Sequence, residues 1–207
     1  MIIIGLTGSI GMGKSTAAKL LRRMGVPVHD ADATVHQLFQ PGGAAVATID
    51  QAFPGTVREG AVDRQRLGQM VLGDGVALKR LEAIVHPLVR QARDDFARQH
   101  QRCGTKMVVL DVPLLFETGG EGVCDVVIVV SASARAQRER VMARPGMNVE
   151  KFRAILAKQM PDAQKRRRAD FVVPSALGFA DMYRRLRQVL RRLQDGSRPR
   201  KRVRRRT

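Results

Sequence analysis

Gly8-Ser9-Ile10-Gly11-Met12-Gly13-Lys14-Ser15-Thr16 follows the apolar run Ile2-Ile3-Ile4-Gly5-Leu6 near the start of the chain. It fits the pattern G-x-x-x-x-G-K-[ST], which carries phosphate when an apolar strand lies ahead of it and helix formers behind, as here. Glycines let the backbone curl so that successive N–H groups converge on phosphate oxygens, at the positive end of the helix that begins there. Gly8, Gly11, Met12, Gly13, Lys14, Ser15 and Thr16 are therefore expected to hold a nucleotide, with Lys14 reaching the β- and γ-phosphates and the Ser15 hydroxyl ligating Mg²⁺.

Outward from this loop, Thr16 to Met24 reads as a helix closed by Gly25. Val26-Pro27-Val28-His29 is a short strand ending at Asp30-Ala31-Asp32, and in an open α/β sheet ligands lie beyond the carboxyl ends of strands. Met107 to Asp111 and Val126 to Val130 read as buried strands, and Phe171-Val172-Val173 as a last short one. Strands alternating with helices predict an α/β fold of the P-loop NTPase and kinase type, a parallel sheet flanked by helices.

Between Ala33 and about Arg90 the strand signals stop. Leu78, Leu81, Val85, Leu88 and Ala92 recur at helical spacing, with Pro87 marking a joint between two helices, so this stretch is an inserted helical region. Ala134 to Pro145 and Val149 to Met160 are two basic helices, the second burying Phe152, Ile155, Leu156 and Met160. A closing helix carries the stripe Phe179, Met182, Leu186, Val189 and Leu193. Beyond Gly196 the chain is rich in Arg and is expected to be disordered.

Hydrophobic content of 44% with 27% charged residues over 207 positions is that of an ordinary globular protein with a sizeable core. Cys103 and Cys124 form neither a disulfide framework nor a metal-ligand cluster, which fits a reducing cytosol. The start has no basic n-region, and no apolar stretch of about 18 residues occurs, so a cytoplasmic protein without a membrane span is expected. Net charge is +18, of which +11 lies from Arg184 onward, where twelve Lys or Arg face the single acid Asp195.

Transfer of a γ-phosphoryl group from Mg-ATP depends on positioning, charge neutralisation and a base for the incoming hydroxyl. One of Asp30 and Asp32 is a natural base, although an aspartate after a strand also serves as a helix N-cap. Asp111 closes its strand as a Mg²⁺ carboxylate would, or as a plain strand-end cap, and Glu117 follows six residues on. Arg140 and Arg144 are i,i+4 neighbours beside Arg138, suited to migrating phosphoryl charge on a lid that excludes water; a solvated basic face is the other outcome. The Lys165 to Arg168 cluster is expected to be solvated, and His86 with Arg90 flanks the joint at Pro87.

The order of motifs resembles the dephospho-CoA kinase family over residues 1 to about 190. The resemblance is carried by Leu6 to Thr16, Asp30-Ala31-Asp32, His86-Pro87-Leu88-Val89-Arg90, Asp111-Val112-Pro113-Leu114-Leu115-Phe116-Glu117, the Gln137/Arg140/Arg144 spacing and Ala169-Asp170-Phe171-Val172. It implies phosphorylation of the ribose 3′-hydroxyl of dephospho-CoA by ATP, giving CoA and ADP. It further implies Asp32 as general base, Lys14, Arg140 and Arg144 as catalytic cations, Asp32, His86, Arg90, Leu115 and Glu117 around the acceptor, and Ser15 and Asp111 at Mg²⁺. Residues 1–32, 91–136 and 166–195 would form the nucleotide-binding core, 33–90 a helical acceptor domain, 137–165 a lid and 196–207 a basic tail.

Pro174-Ser175 stands where the family often has an Asp-Asn pair, and the arginine-rich tail from Arg198 lies outside the family pattern. Two alternatives remain at this stage. One is a nucleoside monophosphate kinase with a different acceptor domain. The other, motivated by the charge, is a nucleic-acid-binding NTPase, although only Tyr183 and seven Phe offer stacking surfaces. Non-specific nucleic-acid contact through the tail is the partner expected beyond dephospho-CoA and ATP, and a monomer is favoured.

Overall fold

The computed structural model describes residues 1–196. The chain opens with β1 (Ile2–Thr7), α1 (Lys14–Arg23) and β2 (Val28–Asp30). It continues through α2 (Ala31–Leu38), α3 (Val46–Ala52), β3 (Val57–Arg58), β4 (Ala61–Val62), α4 (Arg64–Val71) and α5 (Gly75–Arg102). It returns with β5 (Met107–Asp111), β6 (Val126–Ser131), α6 (Ala134–Met142), α7 (Val149–Ala157), α8 (Asp162–Arg168), β7 (Phe171–Pro174) and α9 (Gly178–Gln194). Two compact units result, Met1–Val28 with the chain from Thr105 onward, and His29–Gly104.

In the first unit the sheet runs β2-β5-β1-β6-β7. β1 pairs in parallel with β5 and β6, and β6 with β7. Leu6 lies level with Asp111 on one side and Ile128 on the other, so the carboxyl ends of β1, β5 and β6 form one edge. Ile4, Leu6, Val109, Ile128 and Val130 face Ala17, Leu20 and Leu21 of α1 and Leu186, Leu190 and Leu193 of α9 in a single core. Two carboxylates pin strand starts: Asp125 Oδ2 accepts from Ile3 N at 2.9 Å and Asp170 Oδ2 from Val127 N at 2.7 Å.

Three expectations need correction in this unit. Phe179 is 70% exposed, and the apolar stripe of α9 starts a turn later at Met182 and takes in Leu190. Phe152 of α7 is buried while Ile155, Leu156 and Met160 are half-buried. Lys165 of α8 has no exposed surface, because the Glu117 carboxylate beneath it accepts its charge.

In the second unit, Phe39, Ala45, Ile49, Phe53, Val62 and Leu67 form a separate core, with Leu81, Leu88 and Val89 of α5 packed against it. The joint expected at Pro87 is absent: α5 is one helix of 28 residues with Pro87 inside it. Proline removes one backbone hydrogen bond. Packing of Leu81, Ile84 and Val85 before it and Leu88 and Val89 after it holds the helix through that loss. The unit consequently extends from His29 to Gly104, wider than the expected 33–90. It also contains a hairpin where no strand was expected, β3 and β4 joined by Glu59-Gly60, both at positive φ as a type I′ turn requires.

Among the described residues no helix is long and apolar enough to cross a membrane. Cys103 is exposed and Cys124 is buried, its Sγ donating to Gly120 O at 3.7 Å. The basic tail expected over 196–207 lies, from residue 197 on, outside the described residues.

Candidate active site

β1 delivers the chain to the carboxyl edge of the sheet, and the next six residues turn it back into α1. Gly8 allows the turn to press on β6: a Cβ there would stand 2.6 Å from the Val130 carbonyl oxygen. Gly11 and Gly13 have φ of 75° and 90°, a region that residues with a Cβ rarely enter. Met12 closes the turn from inside, its backbone N–H bonded to Ser9 O at 3.1 Å and its sulfur accepting from Ala132 N at 3.1 Å. Gly13 caps α1 without a side-chain bond, and the first turn holds no acid, so the N–H groups of Lys14, Ser15 and Thr16 have no acceptor within the helix.

Lys14 Nζ donates to Asp111 Oδ1 at 2.7 Å, joining the P-loop to the end of β5. Asp111 is only 2% exposed, so the pair is mostly out of water. Ser15, next along, is exposed. The pair puts a cation and a carboxylate, with a hydroxyl one residue on, at the carboxyl edge where a polyphosphate would lie.

α6, opened by Ser133 as N-cap, brings two polar side chains onto the loop. Gln137, buried, donates from Nε2 to Ile10 O at 2.8 Å. Arg140 donates to Ser175 Oγ and Ser175 O, both at 2.8 Å, and to Gly11 O at 3.4 Å. After α7, Gln159 Oε1 accepts from Ile10 N at 3.0 Å. Arg144 does not share a helical face with Arg140 as expected: α6 ends at Met142, ahead of Pro145-Gly146, and Arg144 is exposed in the turn that follows.

The segment after Asp111 is anchored from below. Leu115, 1% exposed, fills the space over Gly5, where a Cβ would stand 2.8 Å from its Cδ2. Pro113 O accepts from Thr7 Oγ1 at 3.0 Å and from Lys165 Nζ at 3.2 Å. Glu117 Oε1 accepts from Met160 N at 2.7 Å and pairs with Lys165 Nζ at 2.9 Å, while its buried Oε2 has no hydrogen-bond partner. Arg168 pairs with Glu121 and stacks over Phe116, 4.7 Å from the ring centroid.

In the helical unit the two aspartates differ in their contacts. Asp30 is the N-cap of α2, its Oδ1 accepting from Ala33 N at 3.0 Å, and Asp32 stands exposed in the first turn. His86 and Arg90 lie one turn apart on α5, both exposed and on one face. His29 is buried against Phe96, 5.3 Å between ring centroids, with Nε2 3.5 Å from Thr34 Oγ1. Burial holds its pKa below the ordinary 6.5; Asp30 opposes this and Arg93 adds to it.

Gln159, Ser175 and Lys165 were not picked out as site residues from sequence. Gln159 and Ser175 carry no motif of their own, and Lys165 was hidden in a run of four basic residues.

A glycine nest at a helix N-terminus, an invading lysine and a strand-end carboxylate beside an arginine-bearing helix pair define a P-loop phosphotransferase. The family model for dephospho-CoA kinase matches residues 2–180, and the chain belongs to that family. A dephospho-CoA kinase of Paramagnetospirillum magneticum is 69% identical over 166 residues, 80% of this chain and 78% of that one. One from Mesorhizobium japonicum is 58% identical over 179 residues, 86% and 90% of the two chains. Among solved structures, the protein TT1252 of Thermus thermophilus superposes with a TM-score of 0.80 at 39% identity, covering 93% of this chain and 97% of that one.

Proposed function

We propose that this chain transfers the γ-phosphoryl group of ATP to the ribose 3′-hydroxyl of dephospho-CoA, giving CoA and ADP, the last step of coenzyme A synthesis. The observation that carries the proposal is the family match over residues 2–180, which takes in the P-loop, the aspartates after β2, the His86 to Arg90 turn and the Asp111 to Glu117 segment.

ATP lays its phosphates on the N–H groups from Gly11 to Thr16, and Lys14 leaves Asp111 in part to reach the β- and γ-oxygens. Arg140 and Arg144 neutralise charge on the migrating group. Asp32, not engaged in the cap of α2, accepts the hydroxyl proton as the bond to phosphorus forms. His86 and Arg90 bind the acceptor. Glu117 and Leu115 contribute by holding the segment after Asp111 in place.

The residues present fit Mg²⁺. Ser15 and Asp111 offer hard oxygen donors, and among the described residues no cluster of three His, Cys, Asp or Glu could hold a metal alone. Few protein ligands, with the remainder from phosphate and water, is the usual arrangement for this ion. Held by Ser15 and Asp111, it would neutralise phosphate charge that otherwise repels the incoming hydroxyl.

The test is ADP release with Mg-ATP and dephospho-CoA, AMP, CMP or adenosine as acceptors. Turnover confined to dephospho-CoA is expected. Turnover on AMP or CMP with none on dephospho-CoA would replace the proposal by a monophosphate kinase.

A further inference from the structure

Both backbone polar groups of Ile10, one in each of the peptide units that flank its Cα, are engaged by glutamine side chains of the 137–165 segment. Its N–H donates to Gln159 Oε1 at 3.0 Å, and its C=O accepts from Gln137 Nε2 at 2.8 Å. Gln137 lies on α6, and Gln159 lies two residues past the end of α7. The two amides act through opposite ends, one as acceptor and one as donor, so neither could be replaced by a group with only the other capacity.

The loop needs such external support. Gly11 and Gly13 are left-handed, and glycine restricts its own dihedrals less than any other residue. The next residue is held by the same segment: Arg140 reaches Gly11 O at 3.4 Å, and a Cβ on Gly11 would stand 2.6 Å from Val141 Cγ2. α6 and the end of α7 thus grip consecutive peptides immediately ahead of the N–H groups that face phosphate.

We infer that Gln159, acting with Gln137, is a positioning residue for ATP: the two amides fix the peptide planes on either side of the Ile10 Cα and thereby aim the N–H groups of Gly11 and Gly13. A neutral amide oxygen does this without bringing a negative charge up to the triphosphate, which a glutamate would. The clamp also ties the P-loop to the segment bearing Arg140 and Arg144, so that ATP binding and lid placement are set by one pair of side chains. This rests on the proposals that the P-loop binds ATP and that 137–165 is the lid.

The experiment is a steady-state double-mutant cycle on the full chain, with Gln159→Met, Gln137→Met and the double variant. Methionine keeps side-chain length and lacks the amide. Gln159→Met is expected to raise KM for ATP about five- to tenfold, the scale of one net hydrogen bond, with KM for dephospho-CoA within twofold of the parent. The double variant should lose less than the product of the single effects, because both amides hold the backbone of one residue. An unchanged KM for ATP in Gln159→Met, equal rises in both KM values, or single effects that multiply would each overturn the clamp. If Gln137→Met does not fold, the KM split in Gln159→Met alone decides. Lys14→Ala separates this from the underlying proposal: unchanged ATP kinetics there would remove the P-loop assignment itself, whereas loss of ATP use there with an unaffected Gln159→Met removes only the clamp.

Discussion

Around the P-loop, the polar groups are held by neighbours: Lys14 by Asp111, Arg140 by Ser175, and the Ile10 backbone by Gln137 and Gln159. In the helical unit, Asp32, His86 and Arg90 stand exposed, fixed by the helices that carry them rather than by partners of their own side chains. The roles proposed for the two sides account for the difference. A triphosphate is gripped by backbone N–H groups, whose directions must be set in advance by packing and buried bonds. An acceptor read by side chains needs helices in the right place, and leaves rotamers to order when it binds.

The sharpest way to break this contrast is Lys14→Ala, which removes the proposed phosphate-reaching cation and its ion pair with Asp111. kcat/KM for ATP should fall by about 10²- to 10³-fold, with lower thermal stability from the lost buried pair. Steady-state kinetics and a melting curve check both. Asp32→Asn tests the other side. Turnover should fall by about 10²-fold or more while the Kd for ATP, measured by calorimetry, stays near the parent value; near-normal turnover would remove the base assignment. Arg90→Ala should be milder, raising KM for dephospho-CoA about tenfold and leaving KM for ATP unchanged.

Two further changes act on stability. Lys165→Met leaves the Glu117 carboxylate without its cation, and breaking such a buried pair costs about 3–5 kcal/mol. Differential scanning calorimetry should show Tm lowered by roughly 6–20 °C for a chain of this size. The smallest effect concerns pH. Because burial depresses the pKa of His29, the unfolded chain binds more protons at this site, so the native state is favoured fully above pH 6.5 and progressively less as pH falls below it. His29→Phe should flatten that part of the pH–stability curve, read as a smaller drop in denaturation midpoint between pH 7 and pH 5.5.

The P-loop, the parallel strands and the family-bearing segments were legible in sequence because each depends on local pattern: apolar runs for β1, β5 and β6, and glycine spacing for the turn into α1. What escaped depends on long-range contact. Pro87 reads as a helix break locally, yet packing on both sides keeps α5 whole. Lys165 reads as one of four solvated cations until Glu117, distant in sequence, is brought beneath it. Leu115 sits in the Asp111 to Glu117 motif, and only the side chain that Gly5 lacks reveals the space it fills. That Asp30 caps α2 rests on its bond to Ala33 N, which no residue spacing discloses.

The central claim is the identity of the bond made, and ³¹P NMR of a reaction containing Mg-ATP and dephospho-CoA tests it most directly. A new phosphomonoester resonance that couples to the ribose 3′ proton, growing in step with ADP, is the predicted result. ADP accumulating with inorganic phosphate and no new ester, or a phosphoryl group found at any other position, would contradict it.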